Sequence, residues 1–330
     1  MEDFNGKEWI MYSDEVIITL LQQILGEIKL LRQEFSRGQS PEGTQVVGMP
    51  VVESHGSDQL VKIVDMEASE PELELREGGV ECKSRPGIVA PSQGGSKAIQ
   101  ALHDTGIKVK RLRICPDGQS VVDSLSIYLG KRYASLKTVL ARIKSKVAEG
   151  GDVSLSLRNE PQEVVSDVCQ FCNRLFEMAY LRRYRYRKSP LYQVYLTVSP
   201  EPVAQSFFDG AWLERYALYV LTDLCMRRFG GDIDYVANPS VTLPNGDAFE
   251  LDVFAVVKDL PVWIEAKSGD YQIHVAKYAK LARQFGLQER LVLLVSGCSD
   301  ANCSDLAASY GIKVANCETL AQTLEQVLNG

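Results

Sequence analysis

Two apolar runs joined by a two-residue turn constrain this chain more than any other stretch. Ala248–Val257 and Leu260–Lys267 flank the pair Lys258-Asp259. A connection that short joins antiparallel strands and fixes their register. With Val257 facing Leu260, Asp252 falls opposite Glu265 and Glu250 opposite Lys267. Period-two alternation then puts these four charged residues on one face. The other face, from Leu251, Val253, Ala255 and Val257 to Val262, Ile264 and Ala266, is continuously apolar. One face is core, and the other ends in a charged cluster. In a non-hydrogen-bonded pair the Cβ atoms lie about 5 Å apart, so the Asp252 and Glu265 carboxylates repel unless a cation separates them. Lys267 follows about 7 Å along the same face. The set offers hard oxygen ligands for Mg²⁺ or Mn²⁺, together with a lysine to orient or deprotonate a water, which is what phosphodiester hydrolysis requires.

The surrounding sequence reads as an αβββαβαβα series. Helix Ala211–Phe229, containing Glu214, precedes a strand around Ser240–Leu243, and Asn245-Gly246 signals a type I′ hairpin into Ala248–Val257. After Leu260–Lys267 come helix Tyr271–Phe285, strand Arg290–Ser296, helix Ala301–Tyr310, strand Ile312–Ala315 and a last helix from Glu318.

In this setting Glu250-Leu-Asp252, a twelve-residue gap and Ile264-Glu265-Ala266-Lys267 resemble the signature of the PD-(D/E)XK nuclease superfamily. Gly210-Ala-Trp-Leu-Glu214 is similar to its leading helix. Within the superfamily, the pattern most resembles the endonuclease domain of CRISPR-associated nucleases activated by cyclic oligonucleotides. The likeness covers residues 207 to 317, and no nucleotide-sensing Rossmann segment is evident at the N-terminus. It implies a restriction-endonuclease-like αβββαβ core with Asp252, Glu265 and Glu214 on a divalent metal and Lys267 assisting the water. It also implies a role in defence or DNA repair, with Lys277 on the following helix placed to contact phosphate.

Charge is unevenly distributed. The net charge of −7 resolves into −9 for residues 1 to 106, +9 for 107 to 200 and −7 for 201 to 330. A local basic field steers a polyanion even when the total is acidic. The basic segment reads as a small α/β domain that resembles a winged helix: strand Ile107–Ile114, basic helix Ser135–Val147, strand Val153–Leu157, helix Pro161–Met178 and a hairpin of Tyr180–Arg187 with Leu191–Val198. Its Arg182, Arg183, Arg185, Arg187 and Lys188 interleave with Tyr184 and Tyr186, which suits phosphate contact and base stacking. A solvated edge strand has the same composition.

At the N-terminus, Ile17, Leu21, Ile24, Ile28, Leu31 and Phe35 alternate spacings of four and three behind Ser13 as N-cap. Residues 1–37 are therefore expected to form a coiled-coil helix that makes a homo-oligomer through 13–37, or that docks on its own chain. Residues 38–106, rich in Gly, Pro, Ser and Glu, read as an acidic disordered linker. The resulting division is 1–37, 38–106, a nucleic-acid-binding 107–200 and a nuclease 201–330.

Several chemistries find no support. The chain has three histidines, and Cys169-x-x-Cys172 on an amphipathic helix lacks a second metal-binding pair, so it reads as core. Neither a Walker nor a dinucleotide glycine motif occurs. With no apolar run of membrane-spanning length and no signal-like N-terminus, the expected location is the cytoplasm, without membrane partners and without disulfides. The expected activity is Mg²⁺- or Mn²⁺-dependent cleavage of nucleic acid, DNA ahead of RNA. The alternative is a non-catalytic oligomeric adaptor that binds nucleic acid.

Overall fold

The computed structural model describes residues 96–112 and 120–329. The expected coiled coil and most of the expected linker lie outside them. The described chain is mixed α/β, and no helix in it is long and apolar enough to cross a membrane.

The central sheet has five strands in the order β11-β10-β9-β8-β5. They are β5 (Ile233–Ala237), β8 (Val253–Val257), β9 (Leu260–Lys267), β10 (Leu291–Val295) and β11 (Lys313–Ala315). β8 and β9 form the expected hairpin in the expected register, with Val257 paired to Leu260 and Val253 to Ile264. Lys258 and Asp259 both take left-handed backbone angles, φ 46° and 66°, as a type I′ turn demands. Parallel pairing of β9 with β10 requires a crossover, which α7 (Gln272–Gln284) provides, and α8 (Asp300–Tyr310) links β10 to β11.

Both faces of this sheet are buried, whereas the sequence reading gave it one apolar face. Val253, Ala255, Val262 and Ile264 join a core with α6 (Trp212–Phe229) and α9 (Leu320–Asn329). Phe254, Val256 and Trp263 join a second core under α7. The second face is thus apolar until its last residues.

Two expectations are corrected here. The run Ala248–Val257 is not one strand. It splits into β7 (Ala248–Glu250) and β8, and Leu251 packs with Phe254 and Trp263 rather than with Val253. Pro239 explains the break. The facing chain divides at the same level into β5 and β6 (Ser240–Thr242), because a proline has no N–H to continue the ladder. Asn238 turns left-handed at φ 52°, its N–H donates to Asp252 O at 2.9 Å, and Leu251 N–H donates to Pro239 O at 3.3 Å. β6 and β7 then leave for a second antiparallel sheet, which they form with β1 (Lys108–Arg111) in the order β1-β6-β7. In the loop between them only Gly246 (φ 91°), not Asn245, has a positive φ, so the Asn-Gly turn is not type I′.

The second correction concerns boundaries. Residues 97–104, expected in the linker, form helix α1 (Lys97–Asp104), whose N-terminal turn is held to β5. Asp234 Oδ2 accepts from Ser96 Oγ at 2.6 Å and from Ala98 N at 2.8 Å. Strand β1 (Lys108–Arg111), assigned from sequence to the basic segment, pairs instead with β6.

The rest of the basic segment comprises α2 (Ser120–Lys131), which sequence periodicity missed, α3 (Tyr133–Lys144), β2 (Asp152–Ser156), α4 (Gln162–Glu177), β3 (Leu181–Arg187) and β4 (Gln193–Val198). Its strands form an antiparallel sheet in the order β2-β4-β3. One apolar core runs from Leu129 and Leu136 through Phe171 and Phe208 to Ile264 and Leu324, so packing crosses the expected division at residue 200 without a break. Cys172 is buried in it, as a core cysteine should be.

Candidate active site

The site forms at the open end of the hairpin, where β8 begins and β9 ends. Asp252 is the residue between the bend and β8, and both its side chain and its backbone N–H reach the neighbouring strand β9. Asp252 Oδ2 accepts from Ala266 N at 2.7 Å, and Asp252 N donates to Glu265 Oε1 at 3.4 Å. Glu265 is 1% exposed. Its Oε1 also accepts from Trp263 Nε1 at 2.9 Å, two residues back on the same face.

Lys267 closes the cluster. Its Nζ lies 3.2 Å from Asp252 Oδ2, 3.1 Å from Glu265 Oε2 and 3.0 Å from Ala266 O, with the Tyr278 ring centroid at 5.2 Å. Three oxygens therefore converge on one positive charge. The three residues that the sequence reading set at the centre are together.

Glu214 faces them from the first turn of α6. A short helix α5 (Pro202–Ser206) and a π turn (Phe207–Ala211), broken by non-helical Gly210, carry the chain to that position. Asn238 Nδ2 donates to Glu214 Oε2 at 2.6 Å. The resulting cleft, about 640 Å³, is lined by Asp209, Glu214, Glu250, Asp252, Glu265 and Lys267, with Asn238 and Tyr278 among the neutral residues. It opens beyond the carboxyl end of β9, where sheets of this kind place ligands. Among the described residues no three of His, Cys, Asp or Glu gather closely enough to hold a metal by themselves. The expected set of Asp252, Glu265 and Glu214 is therefore not closed as three carboxylates. Glu214 is held by Asn238, and Glu250, carried by β7, lines the cleft without pairing opposite Lys267.

Five acidic side chains against one lysine set the electrostatics. Burial raises the Glu265 pKa to about 8, with the Asp252 charge adding and the Lys267 ammonium opposing. Burial also raises Glu214, again with Asp252 adding. For Lys267 burial acts downward, but the Glu265 and Asp252 carboxylates outweigh it and hold the ammonium charged. The cleft has an unmet demand for positive charge, which is the condition under which a divalent cation is retained.

The expected nucleic-acid residues lie apart from this cleft. Arg182, Arg183, Arg185, Arg187 and Lys188 are all exposed on or beside β3, and none of them lines it. A bulge between Leu181 and Arg183 makes Arg182 the extra residue of the strand. Tyr184 and Tyr186 are partly buried and pack against the core, and Tyr184 Oη donates to Cys169 O at 3.4 Å. Lys277 is exposed on α7 with its Nζ 4.9 Å from the Phe249 ring centroid. Sequence reasoning missed Asn238, Trp263 and Tyr278. Asn238 had one signal, the turn-forming Asn-Pro pair, and Trp263 had its place two residues before Glu265.

No family model matches the chain, and no curated protein matches it. Solved structures partly similar to it include two that cover about 70% of the chain. One is protein VC1899 from Vibrio cholerae, at 19% identity and TM-score 0.47, over 70% of this chain and 60% of that one. The other is Can2 from Sulfobacillus thermosulfidooxidans in complex with cyclic tetra-adenylate, at 13% identity and TM-score 0.49, over 71% of this chain and 61% of that one. The chain spans about three fifths of the length of each.

Proposed function

We propose that this chain is a metal-dependent nuclease whose centre is Asp252, Glu265 and Lys267. The observation that carries the reading is the convergence of Asp252 Oδ2, Glu265 Oε2 and Ala266 O on a single cationic position at the end of the β8–β9 hairpin. Two carboxylates and a backbone carbonyl are a hard-oxygen set suited to Mg²⁺ or Mn²⁺, and an ion on them would displace the Lys267 ammonium from the position it fills towards the open cleft. Glu214 stands on the facing wall as a further acid, acting through water.

A divalent ion bound there would polarise a phosphate oxygen and make a bound water more acidic. The chain's own residues do the rest. Asp252 and Glu265 fix the position, because their other contacts, the Ala266 N–H and the Trp263 indole, prevent rotation. Lys267, kept protonated, presents N–H donors that orient the attacking water and offset charge on the phosphate. Tyr278 packs over the lysine and limits its movement.

In this reading β5 and β8–β10 with α6 and α7 are a restriction-endonuclease-like core, and the β3–β4 hairpin is the wing of a winged-helix-like segment. Its arginines and Lys188, with Lys277 on α7, hold the backbone of a nucleic acid, DNA ahead of RNA. Residues 13–37 assemble the protein into a homo-oligomer. A role in defence or DNA repair follows from the sequence resemblance. The test is incubation of the purified chain with circular and linear DNA and with RNA, in Mg²⁺, Mn²⁺ or EDTA. Cleavage that requires metal and disappears in Glu265→Ala supports the reading. Binding without cleavage under every condition identifies a non-catalytic adaptor.

A further inference from the structure

Lys144, the last residue of α3, reaches out of the basic segment to the end of β9. Its Nζ donates to Ser268 O at 2.9 Å and to Ser268 Oγ at 3.2 Å, and Ser268 Oγ donates to Asp209 O at 2.7 Å. Three elements meet at this one serine: the C-terminal turn of α3, the residue next to Lys267, and the π turn that leads to Glu214. Gly210 allows the approach, since a Cβ there would stand 3.3 Å from Ser268 Oγ.

Stability alone does not call for a lysine here. Half-burying an ammonium sacrifices hydration, and a neutral donor would satisfy the same carbonyl at lower cost. Burial depresses the Lys144 pKa, with the Asp209 charge opposing, and Lys144 belongs to none of the ion pairs among the described residues. Its hydrogen bonds go to the loop beside the candidate centre.

We propose that Lys144 is a positioning residue of the nuclease centre: by gripping Ser268 it holds Lys267 at a set distance from the cleft wall that carries Glu214. The inference rests on the nuclease reading above and adds that the basic segment completes the site. Lys144 acts through Ser268, and it does not touch the substrate.

The experiment compares Lys144→Met, Lys144→Arg and Ser268→Ala with the parent in the full chain. Methionine keeps the apolar stem and removes the donors, whereas arginine keeps a charged donor. For Lys144→Met, kcat for metal-dependent cleavage should fall about 10- to 100-fold, the usual loss when a supporting hydrogen bond behind a site is removed. KM should change by less than about twofold, and Lys144→Arg should recover most of kcat. Ser268→Ala keeps the bond to the backbone carbonyl but loses both hydroxyl bonds, so its kcat should fall in the same direction and by less than that of Lys144→Met. In metal-free protein, amide exchange at residues 267–270 should speed up while β10 stays protected. Unchanged kcat, a rise in KM at constant kcat, or faster exchange spread over β9, β10 and α6 alike would each overturn the proposal. If the parent cleaves nothing, the nuclease reading fails, and the exchange data still decide whether Lys144 tethers this loop.

Discussion

Replacing Glu265 by glutamine in metal-free protein should raise stability at neutral pH, an unusual outcome for a change at a residue only 1% exposed. Burial, with Asp252 adding, lifts this carboxyl from 4.5 to about 8, while in the unfolded chain it titrates near its ordinary value. Between those limits the folded protein keeps a proton that the unfolded protein has released. The contribution is therefore fully present below pH 4.5 and lost as pH rises towards 8, where the folded group also ionises. At about 1.4 kcal/mol per pKa unit the loss by pH 7 is at most about 3 kcal/mol, and the Lys267 ammonium, which loses a partner in the variant, offsets part of it to leave about 1–2 kcal/mol. Glutamine stays neutral throughout and retains an oxygen for the Trp263 indole. Thermal unfolding followed by circular dichroism in EDTA, from pH 5 to pH 8, should show the parent losing Tm as pH rises and the variant nearly flat. The two should be close at pH 5. At pH 7 the variant should lead by about 2–8 °C, taking 2–4 °C per kcal/mol for a domain of this size. Parallel profiles, or a variant less stable than the parent at pH 8, would refute the reasoning.

Three further outcomes concern the centre and the basic hairpin, and a fourth the N-terminus. Asp252→Ala removes the acceptor of the Ala266 N–H and one of three acceptors of the Lys267 ammonium, so cleavage should vanish while nucleic-acid binding, read by fluorescence anisotropy, persists. Replacing Arg183, Arg185 and Arg187 together should lower the slope of log affinity against log salt by roughly 0.7 to 0.9 for each phosphate no longer neutralised, and an unchanged slope would make the hairpin a solvated edge. Tyr184→Ala, by contrast, should cost about 2 kcal/mol of stability in urea unfolding, because its ring packs on the core. Deleting residues 1–37 should reduce the mass seen by light scattering if the heptad spacing there mediates assembly.

The sequence by itself determined what depends on near neighbours. A two-residue turn leaves one antiparallel register, so the pairing of β8 with β9, and with it the meeting of Asp252, Glu265 and Lys267, could be counted along the chain. Helices α4, α6 and α7 and strands β9 and β10 showed themselves by period and length for the same reason. What sequence period could not show was which distant surface each element meets. The bend at Leu251-Asp252 is caused by Pro239 in the facing strand, a residue 13 positions from Asp252 whose effect exists only after pairing. α1 and β1 carry no strong pattern of their own and are held by Asp234 and by β6, so they read as linker and as part of the wrong segment. The opposite fate of the hairpin tyrosines and arginines was undecided by alternation, which separates two faces without saying which is covered. Only tertiary packing turned the tyrosines inward, removed Glu250 from its place opposite Lys267, and brought Lys144 across 124 positions to Ser268. Local backbone geometry is specified within a few residues, whereas burial and charge neighbours belong to the assembled chain.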